Sequence, residues 1–249
     1  MNTKIFAAAF LLVSPSCVWA ADLAMKAPPV PPPVWSWTGF YIGGHAGAGW
    51  GTTETTLTSL TGAGVGPLVG GIALTQNDRS GFVGGGQVGY NYQAGWAVFG
   101  VQGDIAALSI DGTTPCLGLG ASCTAKSDWL ATVTGRIGGV LADHTIVYVK
   151  GGAAWLNTSH SFAIPPVLGP AAFSVSSDST SFGWLLGMGA EYAFTPNWSA
   201  FIEYDYIDFD KANIALDFTP LVGVPAIANI DVKNKLSIAK IGLNYKFSY

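Results

Sequence analysis

This sequence is short of charge. Only 10% of its 249 residues are Asp, Glu, Lys or Arg, against about 25% in an ordinary soluble domain. Eleven basic residues stand against fifteen acidic ones, a formal charge of −4, with no basic stripe. That pattern argues against nucleic acid as a partner. Cysteine and histidine are equally scarce, three of each, and no cluster of them has metal-ligand spacing, so neither a metal nor a cofactor is expected. Long apolar runs are missing as well. The stretch from Ile5 to Val13 is too short to cross a bilayer as a helix, which takes about 20 residues. Yet 49% of the chain is hydrophobic and its mean hydropathy is +0.38. A chain that is apolar overall but has no long apolar runs can place its apolar residues at alternate positions, so that lipid meets every second side chain of a strand. The 33 glycines also suit strands better than helices. A soluble, glycine-rich β-sandwich is the competing class.

The two ends of the chain favour the membrane. Lys4, the apolar stretch behind it and the small residue Ala20 form a secretory signal peptide over 1–20, with Cys17 discarded on cleavage. Ala27-Pro28-Pro29-Val30-Pro31-Pro32-Pro33-Val34 reads as an extended spacer, so that 21–36 is a periplasmic N-terminal segment and 37–249 the barrel. At the other end Ile241, Leu243, Tyr245, Phe247 and Tyr249 alternate with Lys240, Gly242, Asn244, Lys246 and Ser248, a strict period of two.

Eight strands are expected, near 37–51, 80–94, 96–110, 127–142, 145–157, 180–194, 198–209 and 234–249. Gln93-Ala94-Gly95, Ala142-Asp143-His144 and Thr195-Pro196-Asn197 are tight turns. The connections 52–79, 111–126, 158–179 and 210–233 are long. Short and long alternate strictly, as periplasmic turns and extracellular loops do in outer-membrane barrels. One parity is free of ionisable residues in mid-strand and carries two aromatic groups. Phe40, Tyr92, Phe194, Trp198 and Phe247 fall at the turn ends; Trp50, Phe82, Trp129, Trp155 and Trp184 fall at the loop ends. Two aromatic girdles around an aliphatic belt mark a membrane barrel. The fold class read from the sequence is all-β, a closed, eight-stranded antiparallel transmembrane barrel.

The opposite parity places His45, Gln87, Asp104, Arg136, Lys150, Glu191, Glu203, Asp205, Lys240 and Asn244 in the lumen. Buried charges must be paired or they are costly, and a barrel of eight strands is just wide enough for its side chains to fill. These residues are therefore read as a plug of salt bridges, with an ion path lined by them as the alternative. Cys116 and Cys123, close together in an oxidising compartment, suggest a disulfide. His144 sits at a turn. His160-Ser161 is an adjacency without the orienting carboxylate that a hydrolase site needs, so no enzyme is expected.

The segment Ala21-Asp22-Leu23, the proline-rich spacer, and Trp37-Thr38-Gly39-Phe40-Tyr41-Ile42-Gly43-Gly44 followed by Gly47 resemble the start of the outer-membrane immunogenic protein family of α-proteobacteria, small porin-like surface antigens. The resemblance runs to Tyr249 and implies an outer-membrane location with structural or antigenic roles and no catalytic residues. Lys240, Gly242, Tyr245, Phe247 and Tyr249 resemble the C-terminal signal by which the β-barrel assembly machinery recognises such chains. The expected partners are that machinery, outer-membrane lipids and lipopolysaccharide, and a host or environmental ligand at the loops. The expected role is surface interaction with a largely plugged lumen; the alternative is a small diffusion pore.

Overall fold

The computed structural model describes residues 35–62, 65–116, 121–142, 144–164, 173–217, 219 and 224–247. Nine strands follow in chain order: β1 Gly39–Gly62, β2 Val65–Ala94, β3 Ala97–Cys116, β4 Ala121–Ala142, β5 Thr145–Ile164, β6 Phe173–Ala193, β7 Trp198–Phe209, β8 Ala212–Asp217 and β9 Ala226–Lys246. Each of β1 to β6 pairs antiparallel with the next strand, β7 pairs with β9, and β9 returns to β1. Eight strands thus close a ring, and β8 is a short addition along the loop end of β9. Closure leaves the ring without a sheet edge to aggregate.

The seam between last and first strand runs from Tyr41↔Lys246 to Gly62↔Ala226. Beyond it, Phe247 N–H donates to the Phe40 carbonyl at 2.9 Å. Along β7 the inward residues Ser199, Phe201, Glu203, Asp205, Ile207 and Phe209 are buried, while Trp198, Ile202 and Tyr204 face out. This period of two makes the segment a strand with two unlike faces. The tight turn between β2 and β3 depends on Gly95, whose φ of 62° lies in the left-handed region that glycine enters without a side-chain clash.

Boundaries differ from the sequence expectation at the loop ends. The stretch 52–79 is mostly ladder: β1 continues to Gly62, β2 starts at Val65, and Glu54↔Gln76 and Leu60↔Leu68 are paired. Parts of 111–126, 158–179 and 210–233 are likewise strand. The cause is compositional. Thr, Ser and Gly on both faces look like loop, but once the membrane no longer demands an apolar face, a paired hairpin arm can be polar on both sides. At the turn end, the first strand begins at Gly39 rather than at 37, and Trp37 turns into the lumen, where it is buried.

The outer face is apolar. Val101, Ile105, Val133, Leu186, Met188, Ile202 and Ile241 are all exposed around the waist. Aromatic pairs gather toward the rims: Phe40 with Tyr90 at 4.7 Å and Trp198 with Tyr245 at 5.2 Å on the turn side, Trp155 with Phe182 and Trp184 with Tyr206, each at 5.7 Å, on the loop side. Exposed aliphatics between aromatic rims fit a lipid belt and would be unstable in water.

Candidate functional site

The lumen is filled in layers. At the turn end Trp37, Val98, Ile146, Tyr148 and Ala193 form an apolar cluster against which Trp35 and Val140 pack. Trp35 stands edge-on to Trp37 at 5.7 Å, and the Lys246 ammonium lies 4.0 Å from the centroid of the Trp35 ring. The backbone N–H of Trp37 donates to Gln93 Oε1 at 2.8 Å, and Lys246 Nζ donates to the Ser36 carbonyl, so residues 35–37 are tied to the barrel floor.

Above this floor lies the ionic layer. All ten lumen residues read from the sequence are buried and share it. Lys240 Nζ reaches Asp104 at 3.2 Å, Glu203 at 3.0 Å and Asp205 at 3.3 Å. Lys150 Nζ pairs with Glu203 and, at 3.0 Å, with Asp205. His45 Nε2 is 2.7 Å from Asp104. Arg136 pairs with Glu191 at 3.2 Å, and its Nε donates to Asn91 Oδ1 at 2.8 Å. Gln87 Nε2 donates to Asn244 Oδ1, and Asn244 Nδ2 to Glu191 Oε1, both at 2.8 Å. Three cations and four carboxylates thus share one layer, each with an ion-pair partner within 3.3 Å. Buried ions need that arrangement, since losing one partner leaves an uncompensated charge.

Gln87 and Asn244 are legible in the sequence, but Tyr41, Tyr148, Asn91 and Gln102, the other neutral members of this layer, are not. The Tyr148 hydroxyl donates to Glu203 Oε2 at 2.9 Å, and the Tyr41 hydroxyl to Gln102 Oε1 at 2.9 Å. The Arg136 guanidinium lies over both tyrosine rings, 4.7 Å from Tyr41 and 5.0 Å from Tyr148. Inward glycines also matter. A Cβ on Gly187 would lie 3.0 Å from Lys150 Cε and closer still to an Asp205 oxygen, so only glycine lets those two side chains meet across β6. The parity that located the charges also held these residues; they were passed over because tyrosine, amide and glycine suit either face.

A third layer was not foreseen. Val83, Ala106, Leu108, Ile110, Leu130, Ala154, Leu156, Leu185, Ile207, Phe209, Leu236 and Ile238 form one buried apolar cluster on the loop side of the ionic layer. The lumen is therefore not filled by salt bridges alone. The available signal was that strands such as β5 are apolar at both parities over 153–156. A fourth, polar layer lies beyond, with Thr53, Asn77, Arg79, Ser127, Thr158, Ser181 and Asn234 buried.

Other expected sites fall elsewhere. Tyr245 stacks between Trp198 and Phe247, each at 5.2 Å, and Lys240 belongs to the ionic layer; Ser248 and Tyr249 lie outside the described residues. So do the segment 1–34, Asp143 and the side chains of Cys116, Cys123 and His160, and with them the signal peptide, the spacer and the disulfide. No group of three or more His, Cys, Asp or Glu among the described residues could hold a metal ion.

A closed antiparallel ring with an apolar outer belt and ions sealed inside defines an integral barrel of the outer membrane. Residues 7–247 match the family model described as outer membrane protein beta-barrel domain, and the chain belongs to that family. It is 32% identical over 256 residues to the 31 kDa outer-membrane immunogenic protein of Brucella melitensis, covering 99% of this chain and 100% of that one. It is 27% identical over 258 residues to the 25 kDa outer-membrane immunogenic protein of Brucella canis, covering 99% of each. Among solved structures, the outer membrane protein OprG of Pseudomonas aeruginosa aligns with a TM-score of 0.48 and 14% identity over 85% of this chain and 97% of that one, a distant likeness that adds nothing to the assignment. The protein resides in the outer membrane of a Gram-negative bacterium, as its relatives' names state for them.

Proposed function

We propose that this barrel is a surface-display and structural protein with a closed lumen, and neither an enzyme nor a diffusion pore. One observation carries the reading: an apolar layer of twelve buried side chains lies between the ionic layer and the loop end. Hydrated ions crossing it would lose their water without receiving polar contacts in return. The ionic layer beneath has its charges bound to one another at 2.7–3.3 Å, which suits a structural plug. The hairpin arms on the loop side, β1–β2 above all, supply the surface on which an environmental or host ligand would be met, and the relatives' description as immunogenic fits such display. In this reading 1–20 directs export, 21–36 is a periplasmic spacer, the C-terminal aromatics are read by the assembly machinery, and lipid and lipopolysaccharide surround the belt. The deciding experiment is single-channel recording of the refolded protein in planar bilayers. A silent bilayer with inserted barrel is expected; steady, porin-sized openings would overturn the proposal in favour of a pore.

A further inference from the structure

We propose that the polar layer at the loop end is a binding site for a small oxyanion, of the phosphate or sulfate class, built on Arg79. Four basic side chains are buried among the described residues: Arg79, Arg136, Lys150 and Lys240. The last three each have a carboxylate within 3.2 Å. Arg79, only 3% exposed, has none. Its guanidinium donates from NH1 to Ser127 Oγ at 2.9 Å and from NH2 to Asn234 Oδ1 at 3.1 Å, and its Nε–H has no partner.

The side chains around it are donors in search of an acceptor. Asn234 Oδ1 already receives the Thr53 hydroxyl at 2.8 Å as well as Arg79, which leaves Asn234 Nδ2 unpartnered. Ser127 is paired in register with Thr158, and Thr158 with Ser179, so the three hydroxyls form a row across β4, β5 and β6. The hydroxyls of Thr158 and Ser179, and that of Ser181 one inward position along, have no partner. Thr158, Ser181 and Asn234 are all buried.

Nearby acids do not serve. Asp78 and Asp111 sit on the outward parity and are exposed, Asp128 is held by Lys126 and Ser159, and Asp208 by Lys233. The carboxylates of the ionic layer lie on the other side of the apolar cluster. A buried cation without a counter-charge costs several kcal/mol, and a guanidinium offers two parallel N–H groups that fit an oxyanion. Unpaired hydroxyl and amide donors beside it supply the remaining contacts. Because the apolar layer closes the route from the periplasm, the ligand arrives from the cell exterior.

The test is equilibrium dialysis of labelled inorganic phosphate against the refolded full barrel in detergent, at fixed ionic strength in chloride, with folding checked by heat-modifiable gel mobility. Saturable binding of one phosphate per chain, competed by sulfate but not by equimolar added chloride, is expected. Arg79→Gln should abolish it. Thr158→Val keeps the volume, removes one donor and should weaken binding about tenfold. If Arg79→Gln fails to fold, the Thr158→Val measurement decides. No saturable binding by the wild-type barrel means that water alone fills the layer and overturns the proposal, as does binding unchanged in either folded variant.

Discussion

Lys150 is the side chain whose removal the ionic layer should tolerate least. It is 2% exposed, and its ammonium touches Glu203 and, at 3.0 Å, Asp205. At that separation two unit charges attract by about 5–6 kcal/mol for an effective dielectric near 20, most of which offsets the desolvation of both ions. Lys150→Met keeps the stem volume and removes the charge. Four carboxylates, Asp104, Glu191, Glu203 and Asp205, then face two cations, Arg136 and Lys240. Asp205 keeps only Lys240 at 3.3 Å, while Glu203 keeps Lys240 at 3.0 Å and the Tyr148 hydroxyl at 2.9 Å. Breaking a buried pair in this way costs about 3–5 kcal/mol. The assay is urea unfolding of the refolded barrel in detergent micelles, followed by tryptophan fluorescence. Asp205→Asn in the Lys150→Met background removes the unpaired charge and should recover stability, with a coupling of about 1–3 kcal/mol in the double-mutant cycle. A single variant within about 0.5 kcal/mol of wild type, or a cycle with no coupling, refutes the view that these charges form one mutually dependent plug.

Val133 lies on the lipid face of β4, exposed and paired with Gly103 and Ala153, so Val133→Arg should cost about 2–4 kcal/mol and reduce outer-membrane yield, whereas Ser161→Arg should not; equal yields would sink the lipid-belt assignment. Leu156→Ala in the fully buried apolar layer should lower unfolding stability by about 2–5 kcal/mol, and an unchanged urea midpoint would show that the layer is loosely packed. Deleting Phe247-Ser248-Tyr249 removes the Tyr245–Phe247 stack at 5.2 Å and the Phe247–Phe40 backbone bond at 2.9 Å; periplasmic loss of the chain is expected on membrane fractionation, and normal amounts of heat-modifiable barrel would show that these residues are anchors only.

Alternation by itself determined a great deal about this protein. In a strand residues i and i+2 share a face whatever the partner strand, so Val133, Ile137 and Leu141 could be placed on lipid, and Arg136, Lys150 and Glu203 inside, from sequence spacing alone. The rims could be read because aromatic residues recur where strands meet an interface. Strand number and closure followed from counting turns. What the sequence could not decide was who meets whom. Lys240 finds Asp104 across 136 residues of chain, and Arg79 finds Asn234 across 155. Those meetings depend on register around a closed ring, which every pairing constrains together and no local pattern encodes. The same global geometry stacks the floor tryptophans, the ionic layer, the apolar layer and the unpaired arginine in order. In sequence these are only two tryptophans ahead of the first strand and the inward residues of eight strands; their heights become comparable only once the last strand has paired with the first.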